Sequence, residues 1–158
     1  MATGFSTDAE VTEFAGQLFF RLWRASHTRT AEALKTVGLT PANFALLNVL
    51  SNRTGAIQRE LSSDMGIDPS AMVTLIDELE SANLVERRRR PDDRRAYEVA
   101  ITPQGRRTLK AAKRLADQVE DEVLGGLKPT ERNQLLTLLR RALLSAPPQP
   151  PWSAEEGD

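Results

Sequence analysis

The chain has 158 residues, a formal net charge of −1, a single histidine and no cysteine. Its length suits one domain or one domain with appendages, and 40% hydrophobic residues is ordinary for a soluble globular protein. Without cysteine, disulfides and thiolate metal ligands are excluded, and one histidine argues against an all-protein zinc site. No apolar run approaches the roughly 20 residues that span a membrane. We therefore expect a cytoplasmic protein with no metal, no cofactor and no membrane partner.

The first predicted helix extends from Glu10 to about Val37 and ends at Gly38. Its apolar residues recur at spacings of three and four, which indicates an amphipathic helix; they are Val11, Phe14, Leu18, Leu22 and Trp23. The helix also carries aromatic side chains at Phe19, Phe20 and Trp23, and an aromatic stripe is typical of a core or a dimer interface. Alternatively, Trp23 lines a pocket beneath this helix, near the second and fifth helices, and Arg24 or His27 meets an acidic ligand.

The dipeptide Thr-Pro occurs twice and predicts two helix starts. Thr40 can cap a second helix that ends near Asn52, and Thr102 can cap a fifth helix that ends near Leu124. A proline fits the first helical position, where its missing N–H costs nothing. Gly125 and Gly126 break the fifth helix. Pro129 opens a leucine-rich sixth helix, and a proline-rich, flexible tail follows from residue 146.

Between the second and fifth helices, the pattern indicates a helix-turn-helix. A short third helix spans Gln58 to Met65, and Gly66 suits the left-handed position after its end. Asp68 then caps a fourth helix that starts at Pro69 and ends near Ala82. Two helices joined by a short, glycine-containing turn form the helix-turn-helix arrangement. Before it, residues 56–57 are consistent with a very short strand.

A basic hairpin follows the fourth helix. Leu84–Arg89 and Arg95–Ile101 can pair around the turn at residues 91–93. Alternation predicts that Tyr97, Val99 and Ile101 face the core and that Ala96, Glu98 and Ala100 face away. Six arginines fall between residues 87 and 95, whereas acidic residues collect elsewhere. The net charge is therefore near zero although one face is basic, and a basic face is what binding to nucleic acid requires.

With these motifs in place, residues 10–145 resemble the MarR family of bacterial transcription regulators. The most specific matches are Asp93-x-Arg95 in the wing, followed by Ile101-Thr102 and Gly105. The chain departs from the family pattern at Asn83, where a glycine is common, in its extra wing arginines, and in its tail. The resemblance implies a homodimer built by the first and last helices, with two wings and two recognition helices on a palindromic operator. It also implies a small phenolic or aromatic effector, bound between the dimerisation and DNA-binding parts.

The expected DNA contacts come from the fourth helix and the wing. Ser70, Ala71 and Thr74 should point outward while Met72 or Val73 points inward, although Ser70 could merely support the cap. In the wing, Arg94 is the first candidate for the minor groove and Arg90 the second, and Asp93 is expected to pair with Arg95 or a neighbour. Arg87 and Arg88 belong near phosphates or packed along the strand. The complete set of expected DNA-contacting residues is Ser70, Ala71, Thr74, Arg87, Arg88, Arg90, Arg94 and Arg95.

These expectations combine into one prediction. The fold is mainly helical with a small β-wing: a dimeric winged helix-turn-helix of about six helices. The dimerisation helix covers 1–38, the winged helix-turn-helix 39–102, the C-terminal dimerisation helices 103–145 and the tail 146–158. Function is predicted as repression by sequence-specific binding of double-stranded DNA, relieved by an effector that changes the spacing of the recognition helices. The competing class is a winged-helix interaction module that reads no DNA. No nucleophile–base pair or phosphate-binding glycine loop is evident, so an enzyme is not expected.

Overall fold

The computed structural model describes residues 14–90 and 97–146. Within them, six helices and two strands follow one another in the predicted order. Their bounds are α1 Ala15–Lys35, α2 Pro41–Ser51, α3 Gln58–Met65, α4 Pro69–Ser81, β1 Val85–Arg89, β2 Tyr97–Ile101, α5 Pro103–Val123 and α6 Pro129–Ser145. The predicted helix starts at Pro41, Gln58, Pro69, Pro103 and Pro129 are confirmed. For α1, the predicted first turn at Glu10 and Val11 lies outside the described residues.

Hydroxyl caps fix the starts of α2 and α5. The Thr40 Oγ1 accepts the backbone N–H of Asn43 at 3.1 Å, and the Asn43 side chain accepts the backbone N–H of Thr40 at 2.9 Å. Thr102 Oγ1 accepts the backbone N–H of Gly105 at 2.9 Å. Each cap satisfies N–H groups that have no partner within the helix, so the helix begins at a defined residue.

The apolar faces of α2 to α4 and the base of the hairpin form the core, together with Leu34 of α1 and Leu109 and Ala112 of α5. Its fully buried side chains include Leu34, Leu46, Leu47, Leu50, Leu61 and Ile76. The turn between α3 and α4 is short because Gly66 takes the left-handed conformation, with φ +62°. The predicted helix-turn-helix is therefore present and is held by the core on its inner side.

The two strands pair antiparallel, from Val85 opposite Ile101 to Arg89 opposite Tyr97. Of residues 56–57, predicted as a very short strand, Ala56 forms an isolated bridge to Val99, with hydrogen bonds of 3.0 and 2.8 Å. The predicted alternation is only partly right: Tyr97 is exposed, whereas Ala100 is buried beside Val99 and Ile101. The base of the hairpin enters the domain and is covered on both faces, while Arg89 and Tyr97, the last described pair, are exposed.

A close approach joins the hairpin to α5. A Cβ added at Gly105 would lie 2.0 Å from the carbonyl oxygen of Leu84, so only glycine fits there. Thr102 Oγ1 also donates to the carbonyl oxygen of Asn83 at 2.7 Å. Asn83 itself has φ +58°, a conformation that favours glycine and tolerates asparagine, which accounts for this departure from the family pattern.

The terminal helices leave much apolar surface uncovered in the protomer. α1 packs along α5, and Arg132 of α6 pairs with Asp121 of α5 at 2.5 Å. No side chain of α6 is buried among the described residues. The exposed large apolar residues of these two helices and the residue before α1 include Phe14, Phe19, Phe20, Trp23, Leu138, Leu143 and Leu144. Of the predicted apolar stripe of the first helix, Phe14, Leu18 and Trp23 are exposed and do not enter the protomer core.

Candidate nucleic-acid interface

The start of α4 is organised around the carboxylate of Asp68. Its Oδ1 accepts the backbone N–H groups of Ser70, at 2.8 Å, and Ala71, at 3.4 Å, and also the Ser70 hydroxyl proton. These bonds hold the pKa of Asp68 below its usual range, the Ser70 hydroxyl being the largest cause and the two backbone N–H groups following. The carboxylate is therefore charged and the first turn of α4 is well defined.

The outer face of α4 carries the residues predicted to meet DNA. Ser70, Ala71 and Thr74 are exposed, Met72 is fully buried, and Val73 is 38% exposed. The sequence left the inward residue open between Met72 and Val73, and the structure selects Met72. A small, polar, convex surface thus faces solvent beside the hairpin.

Both hydroxyls on this face already use their protons. Ser70 donates to Asp68, as the cap-support interpretation predicts, and Thr74 Oγ1 donates to the backbone carbonyl of Ser70 at 3.3 Å. What remains toward solvent is oxygen lone pairs and the Thr74 methyl group. In the free protein this surface can accept hydrogen bonds from base amino groups and can contact a thymine methyl.

The described wing arginines have distinct environments. Arg88 Nε bonds Glu98 Oε1 at 2.8 Å, and its Nη2 bonds the carbonyl oxygen of Thr54. The Arg89 guanidinium lies 5.6 Å from the centre of the Tyr97 ring. Arg90 is partly buried at the end of the hairpin that is described. Arg94, Arg95 and the predicted Asp93–Arg95 salt bridge lie outside the described residues.

Arg87 points back to α4 and binds two of its carboxylates. Its backbone N–H donates to Glu80 Oε1 at 2.9 Å, one guanidinium nitrogen donates to Glu80 Oε2, and the other donates to Asp77 Oδ1 at 2.5 Å. Asp77 and Glu80 keep side-chain exposures of 56% and 38% and are nevertheless paired, because the strand that follows supplies their partner. No sequence spacing predicts this pairing.

The aromatic residues of α1 form an exposed cluster. Trp23 is 57% exposed; its ring stacks on His27 with centroids 4.8 Å apart and lies 6.2 Å from the ring of Phe20. This exposure excludes a place for Trp23 in the protomer core. A dimer interface and a ligand site both remain consistent with it.

A cavity of about 140 Å³ lies between α1, α5 and α6. Its lining is mostly apolar and consists of Leu22, Ser26, Glu120, Val123, Leu124, Leu135, Leu136 and Leu139. The predicted pocket was placed near the second and fifth helices, with Trp23 in its wall. The cavity instead adjoins α6, and it is lined by Leu22 and Ser26, the α1 residues next to Trp23 and His27 in the sequence.

Within residues 14–90 and 97–146, no helix is both long and apolar enough to cross a membrane. The same part of the chain contains no group of three or more acidic or histidine side chains that could hold a metal ion.

A helix-turn-helix followed by an arginine-rich β-hairpin, with an exposed polar face on its second helix, defines the winged helix-turn-helix class. The MarR family model matches residues 39–97. A protein of Thauera aromatica, named for transcriptional regulation of the hcr operon, is 30% identical over 131 residues, covering 80% of this chain and 79% of that protein.

Several solved structures are also similar to this chain. The transcriptional repressor CouR of Rhodococcus jostii RHA1, bound to a 23-mer DNA duplex, is 31% identical with a TM-score of 0.75, covering 89% of this chain and 99% of that chain. CouR bound to p-coumaroyl-CoA is 29% identical with a TM-score of 0.73, covering 90% and 100%. Rv2887, a MarR family protein of Mycobacterium tuberculosis in complex with DNA, is 27% identical with a TM-score of 0.72, covering 88% and 100%. The chain belongs to the MarR family and is a transcriptional regulator.

Proposed function

We propose that this regulator is a repressor that binds a palindromic duplex operator as a homodimer. The observation that carries the proposal is the exposed polar face of α4, with Ser70, Ala71 and Thr74, beside a hairpin that is rich in arginine. A helix of this kind fits the major groove, and an adjacent basic hairpin reaches phosphates or the minor groove. CouR and Rv2887, which are similar over most of this chain, have both been solved on DNA.

The composition of α4 limits how it reads bases. Residues 69–81 contain no Asn, Gln, Arg or Lys. Bidentate purine contacts from this helix are therefore unavailable, and Ser70 and Thr74 would act as acceptors for base amino groups while Ala71 and the Thr74 methyl meet thymine. Much of the sequence preference would then come from groove shape, read by the wing.

In the wing, Arg94 is proposed for the minor groove, with Arg90 second. Arg95 is assigned to the pairing with Asp93 that stiffens the turn and to phosphate. Arg88 bonds Glu98 on the opposite strand and the carbonyl oxygen of Thr54 in the turn between α2 and α3, so it would contact phosphate from that position. These roles follow from charge and position, since a guanidinium fits a narrow, electronegative groove.

The homodimer is proposed to form through residues 1–38 and 103–145, leaving residues 39–102 for DNA. Support comes from the apolar side chains of α1 and α6, which the protomer leaves exposed. Burying them against a second copy removes apolar surface from water, at about 25 cal/mol per Å². The two recognition helices would then lie about 34 Å apart, one turn of DNA.

The effector is proposed to be a small aromatic acid that binds beside α1. A cavity of about 140 Å³ is close to the roughly 150 Å³ that holds a benzene ring. Because Glu120 lines this cavity, a ligand carboxylate would turn away from it, toward Arg24 or His27, with Trp23 covering the ring. CouR has been solved with p-coumaroyl-CoA; a thioester of that size could place only its ring in this cavity.

A gel shift tests the DNA-binding proposal and separates it from an interaction module. The probe is a duplex of the chain's own upstream region, with a shuffled duplex of equal composition as control. A repressor should retard the upstream duplex at much lower concentration. Equal, weak retardation of both duplexes, or none, would favour the module that reads no DNA.

A second titration tests the effector site. Benzoate and 4-hydroxybenzoate are added to the wild-type complex and to the Trp23→Ala complex. If Trp23 covers the ligand, the variant should bind operator normally but require more ligand for release. A variant that unfolds or loses operator binding together with ligand response would place Trp23 in the dimer interface instead.

A further inference from the structure

We propose that Arg87 is a positioning residue: it holds the wing at a fixed angle to the recognition helix α4 through Asp77 and Glu80, and it does not contact DNA phosphate. This inference rests on the proposed DNA binding and assigns one of the expected DNA-contacting arginines a different task. It also gives the acidic residues of α4 a role in a protein whose partner is a polyanion.

Arg87 joins β1 to α4. Its three hydrogen bonds, one from the backbone and two from the guanidinium, end on two carboxylates that lie one turn apart on α4. The Arg87 side chain is 28% exposed, less than either of its partners. A planar guanidinium bound at both ends fixes orientation as well as distance, which a flexible lysine would not.

The charge balance favours this arrangement over a phosphate contact. Partial burial lowers the pKa of Arg87, but the hydrogen bonds to Asp77 and Glu80 outweigh burial and leave the pKa raised. A phosphate that approached the Arg87 guanidinium would also approach two carboxylates of like charge. Releasing the guanidinium to bind DNA would instead leave both carboxylates unpaired near the duplex.

Arg87 contacts α4 from a position that lets it set the orientation of the strand. Arg87 is the middle residue of β1, between the base of the hairpin at Val85 and its outer end at Arg89. Asp77 lies three residues after Thr74 and seven after Ser70, so it shares their side of the helix. Fixing the middle of β1 to this helix sets the angle between the strand and the base-contacting face.

Neutral substitutions separate positioning from simple electrostatics. Removing a carboxylate from a DNA-facing domain should strengthen DNA binding if charge alone matters. If the carboxylate positions the wing through Arg87, Glu80→Gln should instead weaken operator binding by roughly tenfold, about the size of one coupled contact. Glu78→Gln is the matched control, because Glu78 lies on the same helix and bonds Asn43 rather than Arg87.

Salt dependence gives a second readout on the same operator duplex. An arginine that neutralises a phosphate contributes about 0.9 to the slope of log affinity against log salt. Arg87→Ala should lower affinity at every salt concentration and leave the slope unchanged. Arg87→Lys should recover only part of the loss.

A measurement on the free protein completes the test. Backbone residual dipolar couplings of α4 and of the two strands should fit one alignment in the wild type, and those of the strands should shrink in Glu80→Gln and Arg87→Ala. Any one of three results would overturn the inference. The couplings could be unchanged in the variants, or Glu80→Gln could bind operator as tightly as wild type or more tightly. The third is a salt slope that falls by about 0.9 in Arg87→Ala. If wild type binds no duplex, the proposed function fails, and the couplings still decide whether Arg87 sets the wing.

Discussion

Arg87 and Glu80 are joined twice: the backbone N–H of Arg87 donates to one carboxylate oxygen of Glu80 at 2.9 Å, and its guanidinium donates to the other. The turn between them contains Asn83 in the left-handed conformation. The recognition helix and the wing are thus connected through the chain and through an ion pair. Their relative orientation is therefore set before DNA arrives, which spares the complex the entropy of ordering the wing.

Arg94→Ala should weaken operator binding by about 1–3 kcal/mol, the value of one good groove contact, and leave the fold intact. Arg107→Ala is the matched control, because Arg107 is an exposed arginine on α5 that is not among the residues assigned to DNA. Fluorescence anisotropy gives the affinities, and circular dichroism monitors the fold. Equal losses in the two variants would mean that net charge, rather than a wing contact, governs binding.

Asp68→Asn should remove an acid-sensitive part of the stability. Because the pKa of Asp68 is lowered in the folded chain, mainly by the Ser70 hydroxyl, its stabilisation is complete above the unfolded pKa of about 3.9. It is lost as the pH falls through the folded pKa. Asparagine also caps helices, so the variant keeps the cap and loses only the charge. The melting temperature of wild type should therefore exceed that of the variant at neutral pH, and the two melting temperatures should converge in acid. A difference that is constant across pH would contradict the charged cap.

Gly105→Ala should destabilise the fold by about 1–3 kcal/mol, although alanine is the better helix former by roughly 1 kcal/mol. The reason is the Cβ that would lie 2.0 Å from the Leu84 carbonyl oxygen, a backbone atom that cannot yield cheaply. Gly126→Ala is the control: its Cβ would meet nothing within 4 Å, and its φ is outside the left-handed region. Urea denaturation compares them, and a Gly105→Ala variant as stable as wild type would disprove the close approach.

Light scattering should give a mass of about twice the chain's 17.5 kDa at micromolar concentration. Leu143→Glu should shift the mass toward the monomer, because it places a charge on an apolar side chain of α6 that the protomer leaves exposed. Gln134→Glu adds the same charge at an exposed polar position of α6. A stable monomer in the wild type would remove the basis for two paired recognition helices.

Much of the fold could be predicted because its boundaries are local. The Thr-Pro starts of α2 and α5 and the Asp-Pro start of α4 depend on groups within a few residues of each other. The buried face of α4 follows from the same helical period, apart from the choice between Met72 and Val73. That choice needed the tertiary packing.

The sequence could not predict which residues pair over long distances or which side chains are buried by neighbouring elements. Arg87 is one of six similar arginines, and nothing in the pattern distinguishes the one that turns toward Asp77 and Glu80. The alternation of β2 failed at Ala100 because burial of the hairpin base depends on neighbouring helices. Helical spacing placed Trp23 on an apolar stripe, but the protomer leaves Trp23 exposed.

The most direct test of the central claim is an anisotropy titration of the protein with its upstream duplex and a shuffled duplex at about 0.15 M salt, near physiological ionic strength. The account predicts saturable binding of one dimer and a preference of about 10³-fold or more for the upstream site. Raising the salt should weaken both affinities steeply, since arginine–phosphate contacts release counterions. Equal affinities for the two duplexes, flat with salt, would contradict it.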